Sequence, residues 1–220
     1  RKRLKTLTLN TTDLNIMADK QKIGIFGGAF NPVHNGHINL ALHYLNELKL
    51  DKILFIPTAC PPHKSSDNFA PKEDRFNMLE LAISPFDKFE ISDIEFKLSG
   101  KSYTYLTLLQ LEKIYTNAEF YLIIGADQIL HFDKWYKYKE ILSLVTLCTS
   151  AREDENEKAE ILSFASRLDG LDMNKFKLLT SPVLKVSSSE IRQKIKNGED
   201  FSSLVPKKVY DYIIKRRIYN

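Results

Sequence analysis

Residues 24–37 read Gly24-Ile25-Phe26-Gly27-Gly28-Ala29-Phe30-Asn31-Pro32-Val33-His34-Asn35-Gly36-His37. An apolar run at 23–26 leads into this stretch and reads as a buried strand. Behind it Ile38, Ala41, Leu42, Leu45 and Leu48 recur on one face of a helix. Between strand and helix lie two glycines, a proline and two imidazoles three residues apart. A strand–turn–helix of this composition aims backbone N–H groups and a helix N-terminus at one point, where an anion is stabilised. His34 and His37 can donate further hydrogen bonds to phosphate oxygens. Gly36 lets the backbone approach a ligand closely, since a Cβ there would intrude. Two other readings fit the same residues: a plain helix start with exposed histidines, and a zinc site completed by Cys60 and His63. No Cys or His pair follows at a recognised ligand interval, so the context favours nucleotide phosphate and no protein-held metal.

Outward from that turn, strand-like and helical runs alternate. Strands are expected at 22–26, 52–57, 89–91, 119–124, 144–149 and 176–179; helices at 36–49, 72–83, 103–114, 153–167, 188–196 and 206–215. Such alternation predicts a doubly wound parallel sheet with helices on both faces. Ligands of such sheets bind beyond the carboxyl ends of the strands, where 27–37, 58–64, 125–135 and 187–192 begin. Two familiar phosphate motifs are absent. Ser99-Gly100-Lys101-Ser102 ends like a Walker A loop, but Glu95 stands where its first glycine belongs. Phe26 occupies the second glycine position of a dinucleotide fingerprint.

The second informative segment is Val186-Ser187-Ser188-Ser189-Glu190-Ile191-Arg192. Ser187 or Ser188 suits a helix N-cap, which leaves N–H groups pointing outward, and Arg192 adds a permanent charge able to chelate phosphate oxygens. By itself this is an ordinary cap. Paired with the first motif, some 150 residues earlier, it places two helix starts at one sheet edge.

The totals set bounds. With 220 residues, 43% of them apolar, the chain can bury a full core as one α/β domain. Thirty-two basic against 28 acidic residues leave +4. That is too little to imply nucleic acid, although Arg1, Lys2, Arg3 and Lys5, and Lys215, Arg216 and Arg217, form basic clusters read as solvated surface. Cys60 and Cys148 lie far apart in no paired pattern. No apolar stretch approaches the roughly 18–20 residues that span a bilayer, so no membrane role is expected. A soluble cytoplasmic protein is the expectation, with homo-oligomerisation open. Met17 precedes the first strand and is the expected working start, with residues 1–16 appended; 1–20 read as a basic extension, expected to be disordered, and 21–220 as the folded domain.

The two motifs, with Pro61-Pro62-His63-Lys64, Ser102-Tyr103-Thr104, Gly125-Ala126-Asp127 and Phe132-x-x-Trp135, resemble the nucleotidyltransferase superfamily. In that order they resemble the bacterial nicotinate-nucleotide adenylyltransferase family over 23 to about 217. The resemblance implies a Rossmann-like α/β fold and transfer of the adenylyl group of ATP to nicotinate mononucleotide. The products are deamido-NAD and pyrophosphate, with Mg²⁺ carried on the ATP phosphates. It implies that His34, His37 and Arg192 are catalytic. Gly27, Gly28, Phe30, Gly36, Gly125, Asp127, Ser187 and Ser188 would join them around ATP, with Arg152 as a further cationic contact. Lys64, Tyr103, Thr104, Trp135 and Tyr136 would hold the mononucleotide: Trp135 by stacking on the pyridine, backbone amides near Thr104 and Tyr136 by receiving its carboxylate. Three positions depart from the pattern. Ala29 stands where Ser or Thr is usual, Ser189 replaces Thr, and Arg152 precedes Glu153 rather than Pro-Gly. Phosphopantetheine and polyol-phosphate transferases share the first motif but lack the Pro-Pro-His-Lys and Phe-x-x-Trp segments. Nicotinamide mononucleotide as acceptor also fits the motifs, as does a non-catalytic nucleotide sensor on the same fold.

Overall fold

The structure, a computed structural model, describes residues 19–59, 69–98, 100–151, 155–180 and 186–219. Residues 1–18 of the expected extension, Met17 among them, and Cys60, His63, Lys64 and Arg152 lie outside the described residues. Six strands form one sheet: β1 (Gln21–Gly28), β2 (Lys52–Pro57), β3 (Phe89–Ile91), β4 (Ala118–Ile124), β5 (Val145–Ala151) and β6 (Phe176–Thr180). All neighbours are parallel and the order is β3-β2-β1-β4-β5-β6.

The inner strands form because each is apolar on both faces, as a parallel sheet covered on two sides requires, while edge strand β3 turns Phe89 and Ile91 to one core and exposes Glu90. In β2 Ile53 and Phe55 enter one core, while Leu54 and Ile56 enter the other. In β4 Ile123 joins the first core, and Leu122 and Ile124 the second. The first core is covered by α1 (Asn35–Glu47), α2 (Lys72–Ile83), α8 (Ser188–Lys196) and α9 (Lys207–Arg216) through Ile38, Met78, Ile191 and Val209. The second is covered by α4 (Thr104–Ile114), α6 (Tyr138–Leu144) and α7 (Glu155–Arg167) through Leu108, Ile141 and Ile161. Gly24, mid-strand, is where side chains crowd the sheet: a Cβ there would lie 2.9 Å from Leu50 Cδ1 and 3.1 Å from Ile53.

Three short helices depart from the sequence expectation: α3 (Ile94–Lys97), α5 (Ala126–Ile129) and α6, with a 3₁₀ turn at Phe132–Lys134. α3 and α5 span four residues each, too short to show a helical period. Leu144, expected to open the fifth strand, closes α6 instead, and β5 starts one residue later. The strand order reverses between β1 and β4, where Phe26 pairs with Ile123. The crevice beyond their carboxyl ends is therefore the switch point at which this architecture binds ligands.

Candidate active site

β1 ends in Gly27 and Gly28, and the next four residues make the turn. Phe30 has φ 45, a left-handed conformation rare outside glycine. Its ring is only 1% exposed and packs edge-on against Phe26 at 5.7 Å and against His37 at 5.1 Å. Burying a phenylalanine is worth about 1.5–3 kcal/mol, enough to offset backbone strain of about 1–3 kcal/mol. Phe30 thus anchors the turn from below, and its side chain is directed into the core rather than to a nucleotide. A cis peptide joins Asn31 and Pro32.

His34 is the N-cap of α1 and faces the amide of His37, while Nδ1 of His37 accepts from the His34 amide at 3.2 Å. The rings lie 3.7 Å apart and 31° from parallel. Because Nδ1 of His37 is occupied by a donor, its proton resides on Nε2, which makes that edge a hydrogen-bond donor. Burial pushes the His34 imidazole down to about 4, and burial together with His34 holds His37 well below its usual value. Both rings are therefore neutral at pH 7 in the unliganded protein, acting as oriented dipoles rather than charges. The His37 amide bonds more closely to the His34 carbonyl, at 2.9 Å, and leaves His34 Nδ1 buried without a partner among the described residues.

Gly36 has a different reason from the expected one. A Cβ there would meet Val186 Cγ1 at 2.9 Å and His34 Nδ1 at 3.0 Å. The glycine makes room for Val186, in the segment leading into α8, and for the His34 ring.

That segment brings the second motif onto the first. Ser187 caps α8, its side chain accepting from the Glu190 amide at 3.1 Å. The Ser188 hydroxyl donates to the Pro32 carbonyl at 2.9 Å, across 156 residues of chain. Arg192 donates from Nη1 to the Asn31 carbonyl at 2.7 Å and from Nη2 to Ser189 Oγ at 3.1 Å. The remaining guanidinium N–H groups can meet an anion beside the α8 N-terminus.

On the other side of the turn lies a cavity of about 370 Å³, which Gly27, Gly28 and Ala29 share. Tyr103, Thr104, Trp135 and Tyr136 line it, as do Thr58, Glu95, Ser102, Thr107 and Gln128. Tyr103 caps α4 and its ring stands 4.7 Å from that of Tyr136, which is 47% exposed. Trp135 rests on the buried Phe132 at 5.1 Å. Gly125 caps α5 at the exposed end of β4, and Asp127 is exposed in its first turn. Gln128, rather than Asp127, lines the cavity.

Glu95 escaped the sequence reading as a site residue. Its carboxylate is buried and accepts from Thr107 Oγ1 at 3.0 Å through Oε1. Burial raises its pKa, against the opposing pull of hydrogen bonds from Ser102 and Thr107. A carboxylate eight residues before Tyr103-Thr104 was visible, but nothing local marks it as buried under the N-terminus of α4. Among the described residues no group of three or more His, Cys, Asp or Glu side chains could hold a metal ion.

A family profile described as Cytidylyltransferase-like matches residues 25–194. A "Probable nicotinate-nucleotide adenylyltransferase" of Clostridium tetani is 42% identical over 199 residues, covering 90% of this chain and 99% of the relative. The chain belongs to the nicotinate-nucleotide adenylyltransferase family. The like-named family member of Carboxydothermus hydrogenoformans is 37% identical over 198 residues, covering 90% of this chain and 98% of the relative. The solved nicotinic acid mononucleotide adenylyltransferase of Plasmodium falciparum complexed with NaAD has the same fold. It aligns with a TM-score of 0.73 at 23% identity, over 90% of this chain and 97% of that one. No helix among the described residues is long and apolar enough to cross a membrane.

Proposed function

We propose that the chain, with 21–220 as its working domain, transfers the adenylyl group of ATP to nicotinate mononucleotide, a step of NAD biosynthesis. The observation that carries the reading is the direct bonding of Ser188 and Arg192 to the turn bearing His34 and His37. Two distant motifs thereby face one anion site beside an aromatic cavity.

The acceptor is a phosphate whose second pKa is about 6, so it is mostly ionised at neutral pH and needs no protein base. One of its oxygens attacks the α-phosphorus in line. The new O–Pα bond forms, the Pα–O–Pβ bond breaks, and pyrophosphate departs with the electron pair. The protein's work is to bring two polyanions together and offset charge that develops on the α-phosphoryl oxygens and the leaving group. Nε2–H of His37 suits the α-phosphate, with His34 beside it. Arg192 and the α8 N-terminus capped by Ser187 suit the β- and γ-phosphates, and Lys64 and Arg152, outside the described residues, would add cationic contacts. The turn at Gly27 and Gly28 and the end of β4 at Gly125 and Asp127 suit the nucleoside.

Trp135 suits the pyridine face, and the α4 N-terminus at Thr104 favours an anionic carboxylate, which supports nicotinate over nicotinamide. The donors around the triphosphate are N–H groups and cations, which suit phosphate oxygens. Mg²⁺ therefore fits this site as an ion carried on the nucleotide, where it supplies charge neutralisation.

A pyrophosphate-release assay with ATP and, in turn, nicotinate mononucleotide, nicotinamide mononucleotide and phosphopantetheine tests the reading. Turnover is expected to be greatest with the first. Equal or greater turnover with phosphopantetheine would refute it.

A further inference from the structure

Asn31, at the crown of the phosphate turn, is 3% exposed and bonds to distant parts of the chain. Its backbone carbonyl accepts from Arg192 at 2.7 Å. Its side-chain Oδ1 accepts from the Ala70 amide at 2.9 Å and from the Tyr219 hydroxyl at 2.7 Å, the latter across 188 residues. Tyr219 belongs to none of the motifs.

The path that delivers it is unusual. α9 ends at Arg217 with φ 54, its amide returning to the carbonyls of Ile213 and Ile214, and Tyr219 follows with φ 73. Non-glycine residues rarely adopt positive φ, and two within three residues persist only where their surroundings hold them. What holds them is Ile218, buried in the first core, and the Tyr219 hydroxyl on Asn31. Tyr219 also shares with Arg192 the wall of a cavity of about 650 Å³, lined further by Ser189, Lys196 and Arg217. The phenol therefore stands beside the cationic approach to the phosphate turn.

We propose that Tyr219 is a positioning residue for adenylyl transfer: its hydroxyl fixes the Asn31 side chain, and through it the carbonyl that aims Arg192 at the triphosphate. The inference rests on the proposed activity. Without the hydroxyl, Oδ1 keeps the Ala70 amide, so the turn stays folded but the Asn31 unit gains freedom to tilt. A misplacement of about 1 Å can cost about 10²-fold in rate, so partial loosening is expected to cost about tenfold.

Tyr219→Phe is compared with Tyr212→Phe, whose hydroxyl, on α9, donates to Asp74 at 2.8 Å and accepts from Asn77 Nδ2 at 3.0 Å. Tyr219→Phe loses the bond to Asn31, and Tyr212→Phe loses the bonds to Asp74 and from Asn77, so Tm is expected to fall at least as far in the control. Only Tyr219→Phe is expected to lower kcat/KM for ATP, by about tenfold, with KM for nicotinate mononucleotide unchanged. In an Arg192→Ala background the same change is expected to cost nothing further. Wild-type kinetics in Tyr219→Phe, an equal loss in Tyr212→Phe, or losses that multiply with Arg192→Ala would each overturn the assignment. Those results leave the adenylyl-transfer reading standing. A wild-type chain inert with ATP and nicotinate mononucleotide would overturn that reading and this assignment with it.

Discussion

The two halves of the crevice are built on opposite plans. Around the phosphate turn, His34 is buried, and side chains from α8 and from beyond α9 bond to the turn itself. Around the aromatic cavity, Tyr136 is exposed and its ring meets that of Tyr103 at a tilt of 41°. Charge that develops during reaction is stabilised best by dipoles already in place, whereas a pyridine ring gains from any flat apolar surface. The first half is therefore expected to govern kcat and the second KM.

The sharpest way to break that contrast is His37→Ala. Losing one transition-state donor is expected to lower kcat by about 10²–10³ with little change in KM for the mononucleotide, measured by steady-state kinetics. Near-normal turnover would remove His37 from the chemistry.

The same buried imidazoles should be felt in stability. With His34 held near pKa 4 when folded and 6.5 when exposed, the unfolded chain binds the proton first. Stability is thus expected to fall as pH drops from 6.5 towards 4, by up to about 3 kcal/mol from this one residue. Thermal melts across that range should show the loss, and His34→Asn should make it shallower, leaving the part that His37 contributes. An unchanged slope would mean that the imidazole is not held neutral.

Arg192→Lys keeps the charge but cannot reach the Asn31 carbonyl, Ser189 and a phosphate together. It is expected to cost about 10–100-fold in kcat/KM for ATP, and full activity would show that charge without geometry suffices. Trp135→Ala is the mildest: KM for nicotinate mononucleotide should rise by about 5–10-fold, as for a lost aromatic contact, with kcat nearly unchanged. Were KM for ATP to rise instead, the ring would belong to the other half.

The strands and long helices were legible because their apolar runs are long enough to show a period. β2 was expected at 52–57 and occupies Lys52–Pro57; α8 was expected at 188–196 and occupies Ser188–Lys196. α3 and α5, four residues each, carry no period and are held by tertiary packing of Ile94 and Ile129. At Gly36 the need for a glycine was legible and its reason was not, because Val186, which crowds it, arrives from about 150 residues away.

From sequence alone came the alternation that builds a parallel sheet, the glycine turn and serine cap that present N–H groups, and the family to which those motifs belong. These are local properties, set by backbone sterics and side-chain chemistry within a few residues. Tertiary structure decided the neutrality of His34 and His37, the burial of Glu95, and the grip of Arg192 and Tyr219 on Asn31. Burial and hydrogen bonds across 161 and 188 residues depend on which surfaces the folded sheet brings together, and no local window of sequence contains that information.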